Sequence, residues 1–182
     1  MNHKRKMLVS CAVLMAFSLP VLAGPRERRH APGCTSVQGK FSEYVITPFG
    51  SPNDPFGRVV LESKGTINAV GTAILTSVGP GDEPGTFAAT TRHVFLVSVE
   101  DQLEAEGAAV FTPIPGTPDV YDVLTLTVTG GTGKFAGASG EIVATGVGYN
   151  FFPLPPGPSS ANQSYFDFRL SGQLCGVAKQ DD

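Results

Sequence analysis

The 182-residue sequence has only three cysteines, three histidines and no apolar run long enough to cross a membrane. Its longest apolar stretch, residues 7–19, covers about thirteen residues, whereas a membrane-spanning helix needs roughly 20. This stretch follows the basic residues Lys4 to Lys6 and precedes the small residues that end at Ala23. The pattern is typical of a secretory signal. We therefore predict a signal peptide over residues 1–23, cleaved after Ala23, and a soluble protein that is secreted or periplasmic.

Basic residues are also scarce once this segment is set aside. The remainder has ten Lys and Arg against sixteen Asp and Glu, a formal charge of −6. This charge balance argues against nucleic acid as a partner, because its binding depends on clustered cations that neutralise phosphates. The one basic cluster, Arg26 to His30, lies in a leader over residues 24–33 that we expect to be disordered. The alternative is that this cluster steers an anionic partner.

The shortage of histidine and cysteine limits the chemistry further. Beyond residue 23 the chain holds His30 and His93, and Cys34 and Cys175. No spacing among them matches a metal site, so we expect neither metal nor cofactor. A Ser-His-Asp or Cys-His set cannot be assembled either, which disfavours hydrolase chemistry.

The rest of the chain alternates polar and apolar residues with period two and is punctuated by Gly, Pro, Asp and Asn. This pattern predicts β-strands joined by turns. A helix-like stretch at 101–109 contains Gly107, and there we prefer a turn at 100–102 followed by a strand. We predict eight strands: Thr35–Thr47, Arg58–Ser63, Thr66–Val78, Thr86–Val99, Leu103–Thr112, Val120–Thr129, Gly140–Phe151 and Gln163–Cys175. Their regular spacing favours one all-β domain over residues 34–176, an eight-stranded antiparallel up-and-down barrel, with a tail at 177–182.

The two remaining cysteines stand near opposite ends of this domain. If the first and last strands are antiparallel neighbours, Cys34 faces Cys175 where the sheet closes on itself. An even pair in an oxidising compartment favours a disulfide there. Two separately buried thiols are the alternative.

A glycine-rich segment, residues 129–140, is the most distinctive motif. It is not a phosphate-binding P-loop, because Val128 replaces the first glycine and Phe135 follows Lys134 where Ser or Thr is required. No helix follows, which also excludes a dinucleotide fingerprint. The simplest interpretation is a tight connection between strands, with Phe135 inserted into one end of the barrel.

The same segment carries a family resemblance. GGTGKF at 130–135, followed by Ala138 and Gly140, resembles the loop of dirigent proteins and of the allene oxide cyclase-like barrels related to them. The resemblance implies an eight-stranded antiparallel barrel with a cavity for a hydrophobic small molecule, often as a trimer. The acidic and basic cavity residues of dirigent proteins have no residue-by-residue match here. The terminal cysteine pair and the proline-rich loop at 152–161 depart from the family.

The candidate site residues are polar or aromatic groups on or beside the strands. Asp122 lies on the mainly apolar face of its strand, where burial can raise a carboxyl pKa and suit it to acid or base chemistry. The catalytic candidates are Asp122, Tyr121 and Arg92. The ligand-binding candidates are His93, Tyr149, Phe151 and Phe152, with Leu154 also near the barrel mouth.

Three functions fit these observations. The first is binding of a small apolar ligand in the barrel cavity. The second is cofactor-free cyclase, isomerase or dirigent-type control of a reactive intermediate. The third is a structural or interaction protein whose barrel is filled with side chains.

Overall fold

The computed structural model describes residues 33–50, 55–151 and 164–178. Most of this part of the chain forms β-strands, as its β-branched and aromatic content predicts. A single turn of 3-10 helix, Gly133–Phe135, lies between the sixth and seventh strands. No helix in the described ranges is long and apolar enough to cross a membrane. The strands are β1 Cys34–Thr47, β2 Gly57–Gly65, β3 Ala69–Pro80, β4 Phe87–Leu96, β5 Gln102–Pro113, β6 Val120–Gly131, β7 Ser139–Tyr149 and β8 Tyr165–Cys175.

The eight strands form a closed barrel in which each strand pairs antiparallel with its neighbours in sequence. The sheet closes between β1 and β8, where Cys34 is the register partner of Cys175. These two cysteines form a disulfide, which confirms the predicted fold and bridge. The bridge links positions 141 residues apart. In the chain-entropy model, closing a loop of that length stabilises the fold by about 5 kcal/mol.

The barrel has two ends that differ in their connections. The end that carries the disulfide, here called the disulfide end, also holds the β2–β3, β4–β5 and β6–β7 connections. The opposite end, here called the far end, holds the β1–β2, β3–β4, β5–β6 and β7–β8 connections. The proline-rich segment at 152–161, with Phe152 and Leu154, belongs to the last of these and lies outside the described residues.

The glycine-rich connection seals the disulfide end. Phe135 is 4% exposed and packs into the core, as predicted. The loop docks on Asp101, whose Oδ1 accepts a hydrogen bond from the Lys134 backbone N–H at 2.9 Å. Gly133 has a φ of 56° and approaches Asp101 so closely that a β-carbon would overlap the carboxylate. Position 133 therefore requires glycine for two reasons: its φ is positive, and a β-carbon would overlap Asp101.

Most strand ends at the disulfide end lie within two residues of the prediction, but two strands are three residues shorter than predicted there. β3 begins at Ala69 instead of Thr66, because the Thr66 hydroxyl and backbone N–H both donate to the Gln38 carbonyl and hold the turn against β1. β4 ends at Leu96 instead of Val99, because the Val97 and Ser98 N–H groups donate to the Asp101 carbonyl in a tight turn. Side-chain and turn hydrogen bonds therefore make these two strands shorter than the apolar pattern predicts. The stretch at 102–109 is strand, as preferred.

Candidate functional site

The barrel interior combines a dense apolar core with a few polar groups. All eight strands contribute buried residues. The large aromatic side chains come from β1, β4, β5 and β8, and β3, β5 and β7 contribute buried alanines such as Ala73, Ala109 and Ala144. The interior aromatic residues within the strands are Phe41, Phe95, Phe111, Phe166 and Phe168. The buried polar residues in the described part of the chain are Glu43, Ser63, His93, Asp101 and Asp122.

His93 and Glu43 form a hydrogen-bonded pair that crosses the interior from β4 to β1. His93 is 1% exposed, and its Nε2 lies 2.8 Å from Glu43 Oε1. The other ring nitrogen, Nδ1, lies 3.3 Å from the Thr91 hydroxyl. Both nitrogens therefore have polar partners, which fixes the ring orientation. A buried ionisable pair of this kind is retained only where its hydrogen bonds offset the cost of desolvation.

The space for the imidazole depends on a missing side chain. Gly107 on β5 is the register partner of Thr91. A β-carbon at position 107 would overlap the Thr91 hydroxyl oxygen and lie 3.3 Å from Cε1 of His93. Glycine is therefore needed here for close approach, and not for an unusual backbone conformation.

Asp122 is also a buried polar residue of the interior, but its environment differs from that of His93 and Glu43. The residue is 3% exposed, and its Oδ1 has no hydrogen-bond partner among the described residues. Burial, and then the negative charge of Glu43, raises the pKa of Asp122 from 3.8 to about 8. At neutral pH the carboxyl is therefore uncharged and carries a proton that it can donate.

Aromatic rings surround these polar groups. The Phe41 ring lies 6.1 Å from the His93 ring and stacks at 5.4 Å on Phe168, measured between centroids. Toward the far end, Phe111 is the register partner of Asp122. Phe151 stacks on Phe111 at 4.8 Å and meets Phe166 edge-on at 5.7 Å. The carboxyl of Asp122 thus lies beside an aromatic cluster at the mouth of the barrel.

The predicted site residues separate into two groups. Asp122 and His93 face the interior, and Phe151 lies half-buried at the far end. Arg92 is exposed on the outer face of β4, and Tyr121, 46% exposed, is on the outer face of β6.

Tyr149 also lies on the outer face of the barrel. Its ring stacks on Tyr165, which in turn stacks on Tyr44, so the three tyrosines form an outer row. Because successive residues of a strand point to opposite faces, Arg92, Tyr121 and Tyr149 cannot line the interior that holds Asp122 and His93. Phe152 lies outside the described residues.

Glu43 was missed by the sequence prediction. A signal for it exists, since Glu43 has the same strand phase as the apolar residues Val37, Phe41 and Val45. A carboxylate in an apolar phase is the pattern that singled out Asp122 on β6. Within the described ranges, no group of three or more His, Cys, Asp and Glu residues has the geometry of a metal site.

No protein-family model matches this chain, and no curated protein matches it. The dirigent and allene oxide cyclase-like resemblance therefore stays a prediction, and functional arguments depend on the geometry of the interior.

Proposed function

We propose that this protein binds a small, uncharged and mostly apolar molecule at the far end of the barrel, with a ligand oxygen that accepts a hydrogen bond from Asp122. The observation that carries the proposal is the Asp122 carboxyl, which is buried among apolar side chains while Oδ1 has no partner in the described residues. A buried polar group without a partner costs about 1–3 kcal/mol. A ligand that supplies the partner recovers this cost.

The charges at the site select the type of ligand. With its pKa raised to about 8, Asp122 is neutral at pH 7 and offers a hydrogen-bond donor to a carbonyl, ether or hydroxyl oxygen. Glu43 adds negative charge to the same interior. An anionic ligand such as a fatty acid carboxylate is therefore disfavoured relative to an uncharged one.

Phe151 supports an entrance at the far end. It follows the last residues of β7, does not belong to a strand, and places its half-buried ring over the aromatic cluster at this end. The preceding Asn150 is held by a hydrogen bond from its N–H to Asp119 Oδ1 at 2.9 Å and by one from Ser164 Oγ to its carbonyl at 2.8 Å. A ring of the ligand would take the place of Phe151 over Phe111 and Phe166.

We further propose that residues 1–23 direct export of the protein. The disulfide between Cys34 and Cys175 is compatible with an oxidising, extracellular location.

Paired fluorescent probes test the binding proposal. The first is 6-acetyl-2-(dimethylamino)naphthalene, whose ketone accepts a hydrogen bond, and the second is its 6-ethyl analogue, which lacks the ketone. We expect the acetyl probe to bind about tenfold more tightly, the affinity equivalent of one net hydrogen bond. Asp122→Asn should keep this preference because its amide is a donor, whereas Asp122→Leu should abolish it.

The matched control is Asp167→Asn, an exposed residue on the outer face of β8. It should bind both probes as the unmodified protein does. Failure of the unmodified protein to bind either probe, or an unchanged preference in Asp122→Leu, would overturn the proposal.

A second candidate function is that of a structural or interaction protein with a filled barrel. It is favoured by the packing, because Phe41, Leu103, Val120 and Ala144 are each 0% exposed. The same probe titration separates the two functions, because a filled barrel that does not open binds neither probe.

A further inference from the structure

The buried pair of Glu43 and His93 is not explained by ligand binding alone. Burying a carboxylate and an imidazole costs several kcal/mol unless their hydrogen bonds compensate, and apolar residues of similar size are often as stable or more so. Binding of an apolar ligand would need only Asp122 and the aromatic cluster of Phe111, Phe151 and Phe166. The pair therefore points to an additional role inside the barrel.

Glu43 and Asp122 are two carboxyl groups in one interior with opposite properties. Glu43 has a polar partner, because its Oε1 lies 2.8 Å from Nε2 of His93. Asp122 has apolar neighbours and no partner for Oδ1 in the described residues, which favours its protonated form. The two are close enough for the charge of Glu43 to act on Asp122. Two neighbouring carboxyl groups in different environments, one able to act as a base and one as a neutral acid, are the components of general acid–base catalysis.

We infer that the barrel catalyses reversible proton transfer at the carbon next to a carbonyl group of its ligand, with Glu43 as the base and Asp122 as the donor to the carbonyl oxygen. This inference rests on the proposed binding function and names its substrate class, an uncharged ketone or unsaturated ketone. The site holds the carbonyl oxygen at Asp122 and places the adjacent C–H group toward Glu43.

The reaction balances without an oxidant or cofactor. The C–H bond breaks and its proton passes to the Glu43 carboxylate. The electron pair forms a carbon–carbon double bond, and the negative charge that develops on oxygen is stabilised by the hydrogen bond from Asp122. Return of the proton to the same carbon restores the ketone, and return to a conjugated carbon shifts the double bond.

His93 is a positioning residue in this scheme. Its Nε2 lies 2.8 Å from Glu43 Oε1, and this contact fixes the orientation of the carboxyl group. His93→Leu would remove that donor while keeping an apolar side chain of similar volume. We expect this variant to bind the acetyl probe as the unmodified protein does and to exchange the methyl protons more slowly. An unchanged exchange rate would show that His93 has only a packing role.

The test uses the acetyl probe in D₂O with the disulfide-intact protein. Exchange of the acetyl methyl protons for deuterium is followed by proton NMR, and binding is followed by fluorescence in the same samples. The protein should accelerate exchange above the buffer rate. Glu43→Gln should reduce the accelerated rate about 100-fold or more, the usual contribution of a general base, while probe binding is retained. The control Asp167→Asn should exchange like the unmodified protein.

The outcomes separate the two proposals. Binding with accelerated exchange that depends on Glu43 supports both. Binding without exchange above the buffer rate, or exchange unchanged in Glu43→Gln, overturns the catalytic inference and leaves the binding function standing. Absence of probe binding overturns both.

Discussion

Replacement of Asp122 by asparagine should change how the stability of the barrel depends on pH. The folded pKa of Asp122 is about 8, against 3.8 for the unperturbed group. Between these two values the folded protein retains a proton that the unfolded chain releases. The free energy of unfolding therefore falls as pH rises, by about 1.36 kcal/mol per pH unit. Below pH 3.8 both states are protonated, and above pH 8 both are ionised, so the slope from this residue is confined to that window.

The change in the free energy of unfolding can be measured between pH 5 and pH 7, where disulfide exchange is slow. From pH 5 to pH 7, Asp122 should contribute a loss of about 2.7 kcal/mol to the free energy of unfolding. Asp122→Asn is neutral in both states and lacks this contribution. Denaturant unfolding of the disulfide-intact protein, followed by circular dichroism at both pH values, gives the difference. Other titrating groups contribute equally to both proteins and cancel in the comparison.

Two further variants make the experiment decisive. Asp122→Leu removes the carboxyl with similar volume and should show the same reduced slope as Asp122→Asn. Asp167→Asn, which removes an exposed carboxylate on the outer face, should keep the slope of the unmodified protein. Equal slopes in the unmodified protein and Asp122→Asn would refute the reasoning, because they would mean that Asp122 ionises with an ordinary pKa.

Three other predictions concern the scaffold that holds the site. Replacing Cys34 and Cys175 by serine should lower the free energy of unfolding by about 5 kcal/mol, and equal stability with and without reductant would contradict the loop-closure argument. Phe135→Ala should cost about 3–5 kcal/mol in the same assay, since it empties the seal of the disulfide end, and a loss below 1 kcal/mol would show that Phe135 does not seal the core. Gly107→Ala should cost about 1–3 kcal/mol by displacing Thr91 and His93. Gly79→Ala, with nothing within 4 Å of the added β-carbon, is its control, and equal costs for the two would count against crowding at position 107.

The architecture was predictable from the sequence because it depends on local patterns and on one long-range constraint. Alternation along β6 and β8 separates inward-facing from outward-facing residues, as buried Phe168 and exposed Arg169 illustrate. The positions of Cys34 and Cys175 then indicate which strands meet when the sheet closes. Strand ends were less predictable, because the turn at Thr66 depends on hydrogen bonds to Gln38 in another strand.

The site was only partly predictable, for physical reasons that particular residues show. The phase of β4 is ambiguous, since Val94 and Phe95 are both apolar, so alternation alone did not decide between Arg92 and His93. The contact between Glu43 and His93 joins residues 50 positions apart across the interior. That contact is fixed by the register of four strands and by the closure of the barrel, which no local pattern encodes.

Both the binding and the proton-transfer proposals require that the Asp122 carboxyl is protonated inside the barrel at neutral pH. The most direct test is a carbon-13 NMR titration of the side-chain carboxyl of Asp122, assigned by comparison with Asp122→Asn. We expect a midpoint near pH 8. A midpoint near pH 4 would contradict it, because a carboxyl that is charged at neutral pH could not donate the hydrogen bond on which both the binding and the proton-transfer proposals depend.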